Sequence, residues 1–242
     1  MHPLDNPIWQ ALTSTHSGFA QTSNGARKFP GQVSMLAGFS EPSPENYDSL
    51  AALASPDERV GLFLREPPDP PAPWLVVSSV PLLQMLSENR DSSAPALRSN
   101  GVRPTPQFSS LTRADVPEML ALTKLTKPGP FGARTHEMGD YFGIRRAGAL
   151  VAMAGERLRL PGYTEISAVC THPDSLGHGY ASALIEMLMD RIFSRGELPF
   201  LHVLPGNVRA IQVYERLGFT KRAQLHYLVL RQQKAQRPSC FS

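Results

Sequence analysis

From residue 107 onward, the apolar positions of this 242-residue chain switch between a period of two and a helical period, and the switches mark alternating strands and helices. Gln107 to Leu111 predicts a strand, and Thr112 stands as N-cap of a helix running to about Lys124, with Asp115 and Glu118 in its early turns. After the loop "TKPGPFGARTHEMGD", the runs "YFGIRR" and "ALVAMAGERLRL" read as strands joined at Ala147-Gly148, and "PGY" turns the second into "TEISAVCT". These segments form an antiparallel meander. The strand Thr164 to Thr171 passes through His172-Pro173-Asp174 into "DSLGHGYASALIEMLMD", where Ala181, Leu184, Ile185, Leu188 and Ile192 share one helical face. Arg195-Gly196 closes that helix, and "FLHVL" is the next strand. Asn207 to Leu217 then predicts a helix ending at Gly218, and Phe219 to about Arg231 a final strand.

Before residue 107 the pattern is weaker. Asn46 to Ala54 predicts a helix, and "RVGLFLRE" and "PWLVVSSV" predict strands on either side of a proline loop from Pro67 to Pro73. The polar stretch from Ser87 to Pro106 reads as a domain linker, dividing an N-terminal module, 1–104, from a second domain, 105–242. The module is open to being a degenerate half of the same fold, a lid, or an oligomerisation surface that makes a homodimer. No short period repeats, which excludes a solenoid or a propeller.

Composition narrows the function classes. At 41% hydrophobic and 19% charged, the chain has the balance of a soluble globular protein. The start, MHPLDNPIW, lacks a basic region followed by an apolar one, and no apolar run is long enough to span a bilayer, so a cytoplasmic address without membrane association is expected. Cys170 and Cys240 lie far apart, without the spacing of a zinc ribbon or a disulfide framework, and read as free thiols. Neither His178 nor His202 has a metal partner at i+4, and no metal is expected. Net charge is +3 overall, made of −3 over residues 1–104 and +6 over 105–242. That excess, without a Lys/Arg cluster interleaved with aromatics, is too small for nucleic acid and suits a small polyanionic ligand.

The turn Leu176-Gly177-His178-Gly179-Tyr180-Ala181 lies between a strand and a helix, so its backbone N–H groups converge at the positive end of a helix dipole. Glycine at 177 and 179 permits positive φ and lets an anion approach the backbone. A dinucleotide fold would place glycine or alanine where Ser182 stands and an acid at the end of "FLHVL", and neither is present. A Walker-type loop is absent as well.

Downstream, "PGNVRAIQVYERLGF" places Asn207, Ala210, Tyr214 and Gly218-Phe219 at N-x-x-A-x-x-x-Y-x-x-x-G-F. With "TEISAVCT" and "LGHGYA", these elements resemble the GNAT superfamily of N-acetyltransferases over about residues 107 to 231, and "TEISAVCTHPD" is most similar to its glycine N-acyltransferase-like branch. The resemblance implies an α/β (α+β) fold, a mixed and mostly antiparallel sheet flanked by helices, to which the weaker pattern of residues 1–104 adds an N-terminal α/β module. It also implies acetyl-CoA as acyl donor and a small-molecule or peptide amine as acceptor. The family's turn begins with Arg or Gln where this chain has Leu176, so one side-chain donor to the pyrophosphate is missing. The backbone donors of Gly177, His178, Gly179, Tyr180 and Ala181 remain, with Ser182 beside them.

Amine acylation needs an oxyanion donor, a base and an acid. By resemblance, a backbone N–H near Val169 or Cys170 supplies the first, with Thr171 completing that edge of the donor cleft. Strict alternation puts Glu165, Ser167, Val169 and Thr171 on one face, making Glu165 the expected base and Glu156 its runner-up. Tyr214 stands at the family's general-acid position, although its helix face also suits plain core, and Asn207 combines an N-cap with an amide contact to the pantetheine arm. Alternation turns Cys170 away from Glu165, and no His–Asp arrangement surrounds it, so direct transfer is expected rather than an acyl-enzyme. His178 in the turn reads as facing solvent, His202 either flanks the pantetheine cleft or is packed, and His136 and Glu137 lie in a loop that by resemblance lines the amine pocket, although a plain solvated loop suits them better. The competing reading is a CoA-binding sensor or scaffold without catalysis.

Overall fold

The computed structural model describes residues 2–66, 69–88 and 106–233. The chain opens with helix α1 (Pro7–Leu12), the short strands β1 (Gln21–Ser23), β2 (Ala26–Lys28) and β3 (Ala37–Phe39), helix α2 (Pro44–Leu53) and strands β4 (Arg59–Leu64) and β5 (Trp74–Leu86). It continues through β6 (Phe108–Leu111), α3 (Val116–Thr126), β7 (Tyr141–Arg146), β8 (Ala149–Leu160), β9 (Tyr163–Thr171), α4 (Tyr180–Ser194), β10 (Leu198–Val203), α5 (Val208–Arg216) and β11 (Thr220–Gln232). The expected meander is present, with β6 to β9 paired antiparallel in sequence order. Cys240, Pro67, Pro68 and residues 89–105 of the expected linker lie outside the described residues.

An eight-stranded sheet runs β4-β11-β5-β10-β9-β8-β7-β6, mixed but mostly antiparallel, beside a three-stranded sheet β1-β2-β3. The boundary expected at residue 104 does not separate two sheets. β5 precedes it, yet β5 pairs antiparallel with β10 from Leu83 to Leu86 and with β11 along its whole length. A chain that started at residue 105 would therefore leave β10 and β11 without the strand that joins them.

Alternation along the strands assigns helices to faces. On β8, Ala152 and Ala154 belong to a cluster with Leu184, Ile185, Leu188 and Ile192 of α4 and Ile211 of α5, while Met153 joins Met119 and Leu122 of α3. Adjacent strand residues point to opposite faces, so α4 and α5 cover one face and α3 the other. On β10, Leu201 and Val203 join the α4 cluster, whereas Phe200 packs with Leu4, Ile8 and Leu12 of the N-terminal segment. The N-terminal segment and α3 thus share a face. Among the described residues, no helix is long and apolar enough to cross a membrane.

His16 fastens that segment from the outside. It is 4% exposed, its Nε2–H donates to the Met138 carbonyl at 3.1 Å, and its ring meets Phe19 and Phe29 edge-on. Burial holds its pKa down to about 4. An unfolded chain takes up this proton near pH 6.5, so each step below that value favours unfolding until folded His16 itself titrates near pH 4.

Two outcomes are expected. A 105–242 fragment should show no cooperative thermal transition where the full chain does; a cooperative melt would show that β5 is dispensable to the sheet. Acidification from pH 7 to 5 should lower unfolding free energy in urea by about 2 kcal/mol through His16. A His16→Gln variant with an undiminished pH slope would contradict that origin.

Candidate active site

β9 and β10 are a parallel pair, and their pairing covers only Tyr163–Leu198, Thr164–Pro199 and Glu165–Phe200. Both strands run on beyond that point. β9 is held by β8 as far as Thr171–Ala152, and β10 by β5 as far as Val203–Leu83. Past Glu165 and Phe200, two strands with different outer partners diverge, and the facing backbone edges of residues 166–171 and 201–203 do not pair with each other. The His202 side chain is 2% exposed, although the residue as a whole is only partly buried, so its backbone is the part that solvent reaches.

A bulge lies on the splayed strand. Met153 pairs with Cys170 and Gly155 with Ser167, leaving Ala168 and Val169 opposite the single residue Ala154. Ala168 has φ +54°, a left-handed conformation that costs a non-glycine residue roughly 1–3 kcal/mol and persists only where its surroundings enforce it. The extra residue reverses the alternation. Ile166 and Val169 both pack toward α4, whereas Ala168 and Cys170 pack with α3. Glu165, next to Ile166, therefore lies on the face opposite Val169 and on the same face as Cys170, which corrects both expectations drawn from strict alternation.

The glycine turn lies where β9 ends, at the carboxyl end of the parallel pair, where open α/β sheets bind ligands. Gly177 and Gly179 have φ +80° and +77°, and a Cβ at either would meet no protein atom within 4 Å. Gly179 is the N-cap of the fifteen-residue α4, with no side-chain cap. The first N–H groups of α4, from Tyr180, Ala181 and Ser182, have no acceptor within the helix, which leaves a positive helix end facing open space. Tyr180 is buried, accepts from Arg146 Nη1 at 3.2 Å, and stacks on His178 at 5.3 Å. His178 Nδ1–H donates to the carbonyls of Ser175 and Leu176, so its ring braces the turn. Leu176, Leu204 and Val208 stand exposed at these strand and helix ends. An uncapped helix end and an apolar rim beside a splayed strand pair suit a ligand with phosphates at one end and an apolar arm, as coenzyme A has.

The remaining candidates are distributed as follows. Tyr214, on α5, packs against the α4 cluster and meets Phe219 at 6.1 Å; burial pushes its phenol up to about 12, so it is a neutral O–H donor at physiological pH. Asn207 Oδ1 accepts from Ala210 N at 3.2 Å, realising the N-cap. Thr171 ends β9 with a buried Oγ1 that has no hydrogen-bond partner among the described residues. Burial pushes the Cys170 thiol up to about 11, which makes it unreactive. His136 and Glu137 form a short turn ahead of β7, where Glu137 pairs with Arg134.

Glu165 cannot serve as the expected base. It is 1% exposed and accepts two hydrogen bonds from Arg157, at 2.8 and 2.6 Å, and one from His202 Nδ1 at 2.7 Å. Burial alone would raise its pKa, but Arg157 and His202 outweigh it and hold the carboxyl at about 2. Neither reach nor basicity remains for an amine proton. Glu156, the runner-up, is fully buried and held by Arg195 at 2.8 Å. Arg157 was not recognisable in sequence, because the parity that aims it at Glu165 depends on a further register shift between Glu156 and Arg159.

Similarity to known proteins identifies the family. The FR47-like protein family model matches residues 141–228, from the start of β7 into β11. No curated protein matches the sequence. Among solved structures, a GCN5-related N-acetyltransferase from Kribbella flavida is 19% identical over 93% of this chain and 96% of its own, with a TM-score of 0.59, a likeness of fold. A GNAT-family protein from Novosphingobium aromaticivorans is 35% identical over 97% of this chain and 100% of its own, with a TM-score of 0.85. With that identity over 97% of its length, the chain belongs to the GNAT family of acetyltransferases.

Proposed function

We propose that the protein is an acetyl-CoA-dependent N-acetyltransferase, on the glycine N-acyltransferase-like branch, that acetylates a primary amine of a small molecule or peptide by direct attack in a ternary complex. The observation that carries this reading is the parallel pair that stops pairing at Glu165 and Phe200, with a strained bulge on one arm and an uncapped helix end at its mouth.

Acetyl-CoA supplies an activated thioester carbonyl. Backbone N–H groups of Tyr180, Ala181 and Ser182 hold the pyrophosphate, and since Leu176 offers no side-chain donor, the turn relies on backbone and helix dipole. Asn207, whose oxygen caps α5, would offer its amide nitrogen to the pantetheine arm. N–H groups at the bulge, from Val169 or Cys170, stabilise charge developing on the carbonyl oxygen, a contribution of roughly 10²–10³ in rate for one donor. As the amine nitrogen bonds to the carbonyl carbon and the C–S bond breaks, Tyr214 protonates the departing thiolate and regains its proton from solvent. The amine proton passes to water, because Glu165 and Glu156 are both committed to arginines. That commitment favours a second reading, a CoA-binding protein of this fold without catalysis.

Calorimetric titration with acetyl-CoA should show saturable binding that Gly179→Asp weakens by about 100-fold, placing the donor on the turn. With an accepted amine, Tyr214→Phe should lower kcat about 10²-fold at little change in donor affinity. Binding without turnover against a broad amine panel would favour the non-catalytic reading, and no binding at millimolar donor would overturn both.

A further inference from the structure

Glu165 is one link of a longer buried chain of hydrogen bonds. Arg157 donates twice to Glu165, and His202 Nδ1 contacts Glu165 Oε1 at 2.7 Å. On its other side, His202 Nε2 lies 3.1 Å from Gln84 Nε2, which also donates to the Leu4 carbonyl at 2.9 Å. Gln84 Oε1 accepts from Arg222 Nη1 at 2.7 Å, and Arg222 Nη2 reaches Asp5 Oδ1 at 2.7 Å. The donor inventory fixes every proton. Arg222 can only donate, so Gln84 must present its oxygen there and its amide hydrogens to Leu4 and His202. His202 Nε2 is then an acceptor and Nδ1 carries the proton given to Glu165. The imidazole is neutral, and charge pairs off at the two ends, Arg157 with Glu165 and Arg222 with Asp5.

The position of this chain matters more than its charge. Glu165 is the last β9 residue to pair with β10, and His202 lies two residues beyond its partner Phe200, on the arm that has already left the ladder. Their hydrogen bond crosses the vertex of the divergence, joining the strands by side chains where the backbones stop. Arg157 anchors Glu165 to β8, Gln84 anchors His202 to β5, and Phe63 packs on the His202 ring at 4.6 Å. A buried ion pair of this kind adds little net stability over apolar residues of equal volume, but it is costly to break and selects one geometry.

We propose that Arg157, Glu165, His202 and Gln84 are positioning residues that set how far β9 and β10 open around the acyl end of the donor, and that Leu4 and Asp5 tie this setting to the N-terminal segment. The proposal rests on the splay being the donor cleft. The turn at 176–181 holds the nucleotide end, and the chain Arg157–Glu165–His202–Gln84, a bolt between the two strands, governs the far end without touching the reacting atoms.

The test uses the full chain carrying His202→Phe, Gln84→Leu, or the apolar pair Arg157→Met with Glu165→Leu, beside His202→Gln, which retains one donor and one acceptor. Amide hydrogen exchange over 166–171 and 201–203 should speed up about tenfold or more in the first three while α4 keeps its protection, and His202→Gln should return toward wild type. Affinity for acetyl-CoA should drop about tenfold while affinity for 3′-phospho-ADP, the nucleotide half of CoA, stays unchanged. Folded variants with wild-type exchange along both arms, or parallel loss of both ligands, would overturn the proposal. Should the wild type bind neither ligand, the donor reading fails, and the exchange measurement still decides whether the bolt sets the opening.

Discussion

A parallel strand pair that stops pairing while both strands continue is an unusual arrangement, because each arm then presents unpaired backbone N–H and C=O groups to the gap. The structure meets that cost by giving each arm a different outer partner. β8 holds β9 to its end, and β5 holds β10 to its end, so the opening is enforced from both sides. The bulge at Ala168, the turn at Gly177 to Gly179 and the exposed Leu204 are placed by that divergence, and the chemistry proposed for the cleft depends on it.

The outer partner of β10 explains the involvement of the N-terminal residues. β5 pairs antiparallel with β10, lies next to β11, and carries Gln84, whose amide reaches the Leu4 carbonyl. Residues ahead of the expected boundary, β5 and Leu4 among them, are therefore built into the wall of the splay. This placement could not be read from periodicity: "PWLVVSSV" predicts a strand, but alternation does not say which strand it joins, and its extension through Leu86 crosses Pro81, a residue that usually argues against a central strand. α1 and the strands β1 to β3 were likewise missed, since elements of three to six residues are too short for a period to show.

After residue 107 far more was legible, and for a physical reason. β7 and β8 occupy the residues expected, 141–146 and 149–160, because a half-buried meander with tight turns writes both its alternation and its breaks into local sequence. The glycine turn was equally visible, since positive φ at two positions demands glycine. Side-chain direction on β9 was not. A one-residue bulge leaves no mark in composition, yet it moves Val169 and Cys170 to the opposite faces from those that strict alternation gives, and with them the inferred base.

Those two facts bear on how the cleft comes to exist. The Glu165–His202 contact joins residues on consecutive strands of one half of the chain, but His202 is oriented by Gln84, and β5 is held by β11, which ends near the C-terminus. Closing such long loops carries an entropic cost that local pairing of β7, β8 and β9 does not share, so the meander has the means to form ahead of the pair that opens. The vertex is completed only when segments from both ends of the chain have met at β5. The opening is thus defined by the whole sheet, and the carboxylate on the expected strand, paired with Arg157 and His202 at its vertex, is placed to hold the strands rather than to accept a proton.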